Sequence, residues 1–141
     1  MAFRELEALR ELQGIEGIPT LYGSLEVKVT DPSAHKDRLP FYVAIMANVG
    51  SSVRDIMAEE EGAVGEFLGE EVYDTAILRI LQAMHGRGWH HHNIRGYDNT
   101  TQDKDGNVYL VDFAISMRPE NCVDEDHCRD LKAQKLLNDS R

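Results

Sequence analysis

The sequence predicts a single-domain α+β fold, and two observations carry that expectation. Helical periodicity occurs in two separated segments, and the strands between and after them come as hairpins. In residues 2–13, Phe3, Leu6, Leu9 and Leu12 line one side while Arg4, Glu5, Glu7, Arg10 and Glu11 fill the rest. In residues 70–85 the apolar positions Val72, Ala76, Ile77, Ile80, Leu81 and Met84 make a second buried face, and Gly86 is the stop signal. No strand–helix–strand unit occurs, which argues against a doubly wound parallel sheet.

The remaining elements follow in order. Gly14, Gly17 and Pro19 break the chain after the first helix. A strand is expected over 21–30, where Leu25, Val27 and Val29 alternate with Glu26 and Lys28. Residues 31–40 are a polar connection, and the apolar run 41–47 reads as a buried strand pairing back on the first as a long-looped antiparallel hairpin. Ser51 or Ser52 is the expected N-cap of a short helix. Residues 58–71 are acidic and glycine-bearing, the composition of a mobile connection. After a polar loop, Asp105-Gly106 signals a turn between strands at 100–102 and 108–113. The tail from 124 to 138 carries Leu131, Leu136 and Leu137 and predicts one more helix.

With 141 residues, 42% hydrophobic and 28% charged, the chain can bury a real core. Its 25 acids against 15 bases give a net charge of −10, which repels phosphate backbones and anionic lipid, so neither nucleic acid nor membrane is an expected partner. The amphipathic, charged N-terminus is unlike a secretory signal, so a cytoplasmic or nuclear location is expected. Two cysteines, Cys122 and Cys128, are expected as reduced thiols, because their spacing suits no standard zinc motif and a site with His127 would need a fourth ligand.

The stretch 84–113, MHGRGWHHHNIRGYDNTTQDKDGNVYLVDF, concentrates polar groups at a helix end, a loop and a tight hairpin that delivers Asp112. MHGRGWHHHNIRGYDN resembles the catalytic loop of eukaryotic-type protein kinases, and DGNVYLVDFA resembles that family's metal-binding hairpin. RELEALRELQGIEGIPTLYG is similar to the family's helix C and following strand, and FYVAIMANVGSSVRDIM to its fifth strand, hinge and helix D. The resemblance covers residues 3–118, with four segments in the family's order. It implies a partial kinase-like fold: helix C, a two-strand hairpin, helices D and E, catalytic loop, second hairpin and a short C-terminal helix. Residues 1–49 would be a remnant of the small lobe and hinge, and 50–141 a reduced large lobe. Nothing precedes Glu5 except Met-Ala-Phe-Arg, so the glycine-rich flap and lysine-bearing strand of the family do not appear, nor do most large-lobe helices.

Residue by residue, the resemblance puts Asp112 at the metal-ligating acid, although a turn-capping aspartate is the plain alternative. The second metal ligand falls on Asp98 or Asn99 depending on the direction of counting. Asn93 stands where the family has the acid that accepts the substrate proton; a carboxamide is no useful base, which predicts a crippled enzyme. Arg95 matches the phosphate-touching lysine or is a solvated surface arginine. Ile45 falls at the gatekeeper position, and Met46 to Asn48 line the hinge where a nucleotide base would sit. Glu5 matches the helix C glutamate and, lacking its lysine, is expected to be a solvated acid. His91 matches the histidine that braces the loop, and His92 replaces the arginine. Three consecutive histidines in an extended loop alternate in direction and seldom chelate one ion.

The expected function is therefore a catalytically impaired kinase-like module that binds a protein partner, with ATP and Mg²⁺ as the cofactors if any nucleotide binds. The alternative is a fragment of an active Ser/Thr protein kinase or small-molecule phosphotransferase. A metal-binding module built on the histidines and the Cys122–Cys128 tail ranks behind both.

Overall fold

The structure is a computed structural model, and it describes residues 3–27, 41–59 and 65–118 together with Cys128, Asp130 and Lys132. The elements are α1 (Phe3–Glu11), β1 (Leu21–Val27), β2 (Phe41–Met46), β3 (Ser51–Ser52), α2 (Val53–Ala58), α3 (Glu70–Gly86), a 3-10 turn (Arg95–Tyr97), β4 (Thr100–Gln102) and β5 (Val108–Leu110). The class is α+β, with one two-stranded sheet of β1 and β2 and one three-stranded sheet in the order β3-β4-β5, all antiparallel.

The core draws on both α1 and α3. Ala8, Leu9 and Leu12 of α1 meet Ile77, Ile80, Leu81 and Met84 of α3, and Leu110, Trp89 and Phe113 close the cluster. The periodicity of α1 thus translates directly into burial. In α3 the buried stripe is rotated from the expected one: Val72 is 46% exposed, and Ala76 is only half-buried, while Tyr73 and Leu78 are buried. The reason is polar. The Tyr73 hydroxyl donates to Gln102 Oε1 at 2.6 Å and accepts from the Leu68 N–H at 3.0 Å, so the ring can be buried with its oxygen satisfied.

The β1–β2 ribbon pairs antiparallel as expected, but β2 is not a buried strand. Leu25 sits opposite Val43, and Leu25, Val43 and Ile45 are 59%, 41% and 48% exposed. A ribbon of two strands has too little sheet around it to cover both faces, so the apolar run cannot all be buried. The expected strand end at 28–30, the connection 31–40, part of the acidic connection (60–64), Cys122, His127 and nearly all of the tail lie outside the described residues. Of that tail, Asp130 and Lys132 are helical. No helix among the described residues is long and apolar enough to cross a membrane.

The join between the sheets depends on one glycine. Gly50 has φ +86°, and a Cβ there would lie 1.9 Å from the Gln102 carbonyl oxygen. Its N–H donates to Asn48 Oδ1 at 2.9 Å, and the chain then pairs Ser51 with Gln102 and Ser52 with Thr101. Ser52 goes on to cap α2, accepting from the Asp55 N–H at 3.1 Å, as the sequence predicts for one of the two serines. A Gly50→Ala variant meets both the positive φ and the carbonyl, so it should lose about 2 kcal/mol or more in urea unfolding. An unchanged midpoint would mean that β3 does not lie against β4.

Candidate functional site

The loop that follows α3 is fastened to the core before it reaches its polar residues. Arg87 donates to the carbonyls of Glu11 (3.0 Å) and Gln13 (2.7 Å) at the end of α1, where a cation satisfies orphan acceptors. Trp89 is buried, and its Nε1–H donates to Glu11 Oε2 at 2.7 Å. Arg118 lies 4.1 Å over the Trp89 ring and also binds Glu11. That hydrogen bond from Arg118 holds the Glu11 carboxyl below the usual carboxylate range, with help from Trp89 and against a smaller opposing effect of burial. His90 and Met117 exchange both backbone hydrogen bonds, at 2.8 and 2.9 Å, so the segment after Asp112 returns alongside the loop.

Four predicted site residues meet here. His91 is fully buried; its Nδ1 accepts the Asn93 N–H at 3.1 Å and its Nε2 lies 2.9 Å from the Val111 carbonyl oxygen. Because Nδ1 must accept, the ring proton sits on Nε2 and is donated to Val111. Burial lowers the pKa of His91 and keeps that tautomer neutral. Its ring also stands edge-on to Phe113, with centroids 5.0 Å apart. Asn93 Nδ2 in turn donates to Asp112 Oδ2 at 3.3 Å, so the amide and the acid share one crevice. Asn99 Nδ2 donates to the Asn93 carbonyl at 2.8 Å, and the Asn99 carbonyl accepts the Val111 N–H at 2.9 Å. Among the described residues the Asn99 side-chain oxygen accepts no hydrogen bond.

Asp98, the competing candidate, turns outward and pairs with Arg54 of α2 at 2.7 Å. Arg95 is exposed on the 3-10 turn and makes no ion pair among the described residues. Ile45 and Met46 are exposed near the end of β2, and Asn48 is exposed with its oxygen spent on the Gly50 N–H. A cleft between α3 and the β4–β5 turn, lined by Glu71, Thr75, Arg79, Asn107 and Tyr109 among others, contains none of these residues.

Glu5 departs from its expected solvated state. It is half-buried, and its Oε1 accepts the Phe113 N–H at 3.2 Å, linking α1 to the residue after Asp112. The backbone around the crevice is also unusual. His92, Tyr97 and Asp112 are the non-glycine residues with positive φ among the described residues, at 68°, 62° and 61°. All three belong to this loop and the acid facing it, the distribution expected where a site is held in a costly geometry.

The reverse side of the loop holds groups that sequence reasoning missed. Asp130 is fully buried, and its carboxylate accepts the N–H of His91 (2.6 Å) and of His92 (2.8 Å). His85 Nε2 lies 3.2 Å from the same carboxylate. Burial opposes its ionisation, but the His85, His92 and His91 donors outweigh that, and the Asp130 carboxyl is held below its ordinary range. Next to it, Cys128 Sγ lies 3.3 Å from His90 Nδ1 and 3.6 Å from His92 Nε2. In the sequence Asp130 stands among other acids, DEDHCRD, and nothing marks it as the one that turns inward.

A scan of the sequence against protein-family models gives no match, and a search of curated proteins gives none either. The site is therefore described by its own geometry: a carboxylate and two carboxamides at a crevice, braced from behind by a neutral histidine and a buried aspartate. Asp130→Asn would keep one acceptor oxygen and replace the other by an NH2 donor facing one of the two backbone N–H groups. It should cost about 3 kcal/mol or more in chemical unfolding, whereas Asp98→Asn, at a surface pair, should cost less than about 1 kcal/mol. Equal effects of the two would show that Asp130 does not support the loop.

Proposed function

We propose that this chain is a protein-kinase-like domain with a disabled phosphoryl-transfer site, serving as an interaction or regulatory module. The observation that carries the reading is the Asn93 amide donating to Asp112. Phosphoryl transfer depends on positioning and on neutralising phosphate charge, with a carboxylate to receive the hydroxyl proton. Here the group nearest the metal-binding acid is a carboxamide. It carries no charge, cannot take up a proton at neutral pH, and spends an N–H on Asp112.

The residues nonetheless suit a hard cation. Mg²⁺ takes oxygen ligands, and the exposed Asp112 carboxylate and the unspent Asn99 amide oxygen are of that kind. With ATP, such an ion would neutralise phosphate charge. His91 fixes the backbone on both sides of the pair, Glu5 fixes Phe113, and Ile45, Met46 and Asn48 are assigned to the nucleotide base. Asp98, tied to Arg54, is assigned no part. The binding role is supported by the exposed apolar pair Leu25 and Val43, opposite one another on the β1–β2 ribbon, a surface suited to a protein partner.

The test uses thermal unfolding and phosphoryl transfer together. Mg²⁺ with ATP should give the natural chain a small upward shift that Asp112→Ala abolishes, with no transfer to protein substrates. Asn93→Asp replaces a hydrogen bond by two facing carboxylates, costing about 1 kcal/mol at this exposed site, and Mg²⁺ should restore that loss. Robust phosphoryl transfer by the natural chain would overturn the disabled-site reading. Indifference of both the natural chain and Asn93→Asp to Mg²⁺ would overturn the assignment of Asp112.

A further inference from the structure

The side chains of the histidine triplet alternate in direction, and the alternation sorts them by task. His91 faces the Asp112 crevice, whereas His90 and His92 both turn to the reverse side and converge on Cys128. All three of those groups are buried, with Cys128 0%, His90 7% and His92 9% exposed. We propose that His90 Nδ1, His92 Nε2 and Cys128 Sγ together bind one Zn²⁺ ion, which clamps the C-terminal segment to the back of the loop.

The spacing fits the ion. Zn–N bonds of about 2.0–2.1 Å and a Zn–S bond of about 2.3 Å, at tetrahedral angles, place nitrogen and sulfur about 3.5–3.6 Å apart. The two nitrogen–sulfur separations are 3.3 and 3.6 Å, and the three ligand atoms all lie within 4.8 Å of one another. Two imidazoles with a thiolate form a borderline-soft donor set, which selects zinc over Mg²⁺ or Ca²⁺. Three protein donors leave the fourth tetrahedral position to water.

Charge and conformation agree with the assignment. Zn²⁺ with the Cys128 thiolate leaves one positive charge, and the buried Asp130 carboxylate beside the loop balances it. His92 reaches the cluster from φ 68°, a conformation that costs a non-glycine residue energy. The site is distinct from the Cys122, Cys128 and His127 grouping considered from sequence, since it takes one cysteine and two loop histidines.

The experiment uses the full chain purified without a polyhistidine tag, stripped by chelator and titrated with Co²⁺ as the probe. One Co²⁺ per chain should bind, with a thiolate-to-cobalt charge-transfer band and the intense visible bands of a tetrahedral ion, and Zn²⁺ should displace it. Cys128→Ser should abolish the charge-transfer band, Cys122→Ser should keep it, and His90→Ala or His92→Ala should weaken binding by about 100-fold or more. Metal content of the untreated natural chain guards against variants that fail to fold: zinc near one per chain supports the site. Absence of zinc together with no cobalt band in the folded natural chain overturns it. A band lost in Cys122→Ser but kept in Cys128→Ser overturns it equally.

Discussion

A single uncharged imidazole holds the candidate site together. His91 has one acceptor and one donor, and it gives the first to the Asn93 N–H and the second to the Val111 carbonyl. Those partners are the neighbours that matter: Asn93 carries the amide of the crevice, and Val111 immediately precedes Asp112. The brace works only in the neutral form, since a proton on Nδ1 would oppose the Asn93 N–H. Full burial enforces that state. Asp130 supplies the complementary half, taking the loop's own N–H groups at His91 and His92, which would otherwise be donors buried without acceptors.

The parts of this arrangement that were legible in the sequence are those set by local chemistry. The apolar period of α1, the cap at Ser52 and the Asp105-Gly106 turn follow from residue types at short spacing, whereas nothing local places Asn93 beside Asp112, 19 positions away. What was not legible depends on partners far away in the chain. Glu5 finds the Phe113 N–H 108 positions later, where no local signal can point. Tyr73 displaces Val72 from the core because Gln102 offers its hydroxyl an acceptor, a fact about β4 and not about α3. The apolar run of β2 could not reveal that, among the described residues, one strand pairs with it. The histidines show a finer failure: their alternation was readable, but the arrival of Cys128 on one side of it was not.

The costs of the site are paid locally and offset by the scaffold around it. His92, Tyr97 and Asp112 all occupy left-handed backbone. Each is pinned nearby: His92 by Asp130, Tyr97 through its hydroxyl to Asp74 at 2.6 Å, and Asp112 through Asn93 and the Ala114 N–H. Burial raises the Tyr97 pKa, and the hydrogen bond to Asp74 raises it further, so that hydroxyl remains a donor at any physiological pH. Strained backbone persists where surrounding contacts over-determine it, and here they come from Asp130, from α3, from the loop itself and from the backbone just after Asp112.

The contact between Glu5 and Phe113 gives the first helix a leverage beyond its part in the core. Because the carboxylate grips the amide next to the crevice acid, a shift of that helix by one hydrogen-bond length would re-aim Asp112 without touching it. The helix thus has a mechanical line to the acid, through one side chain and one peptide unit.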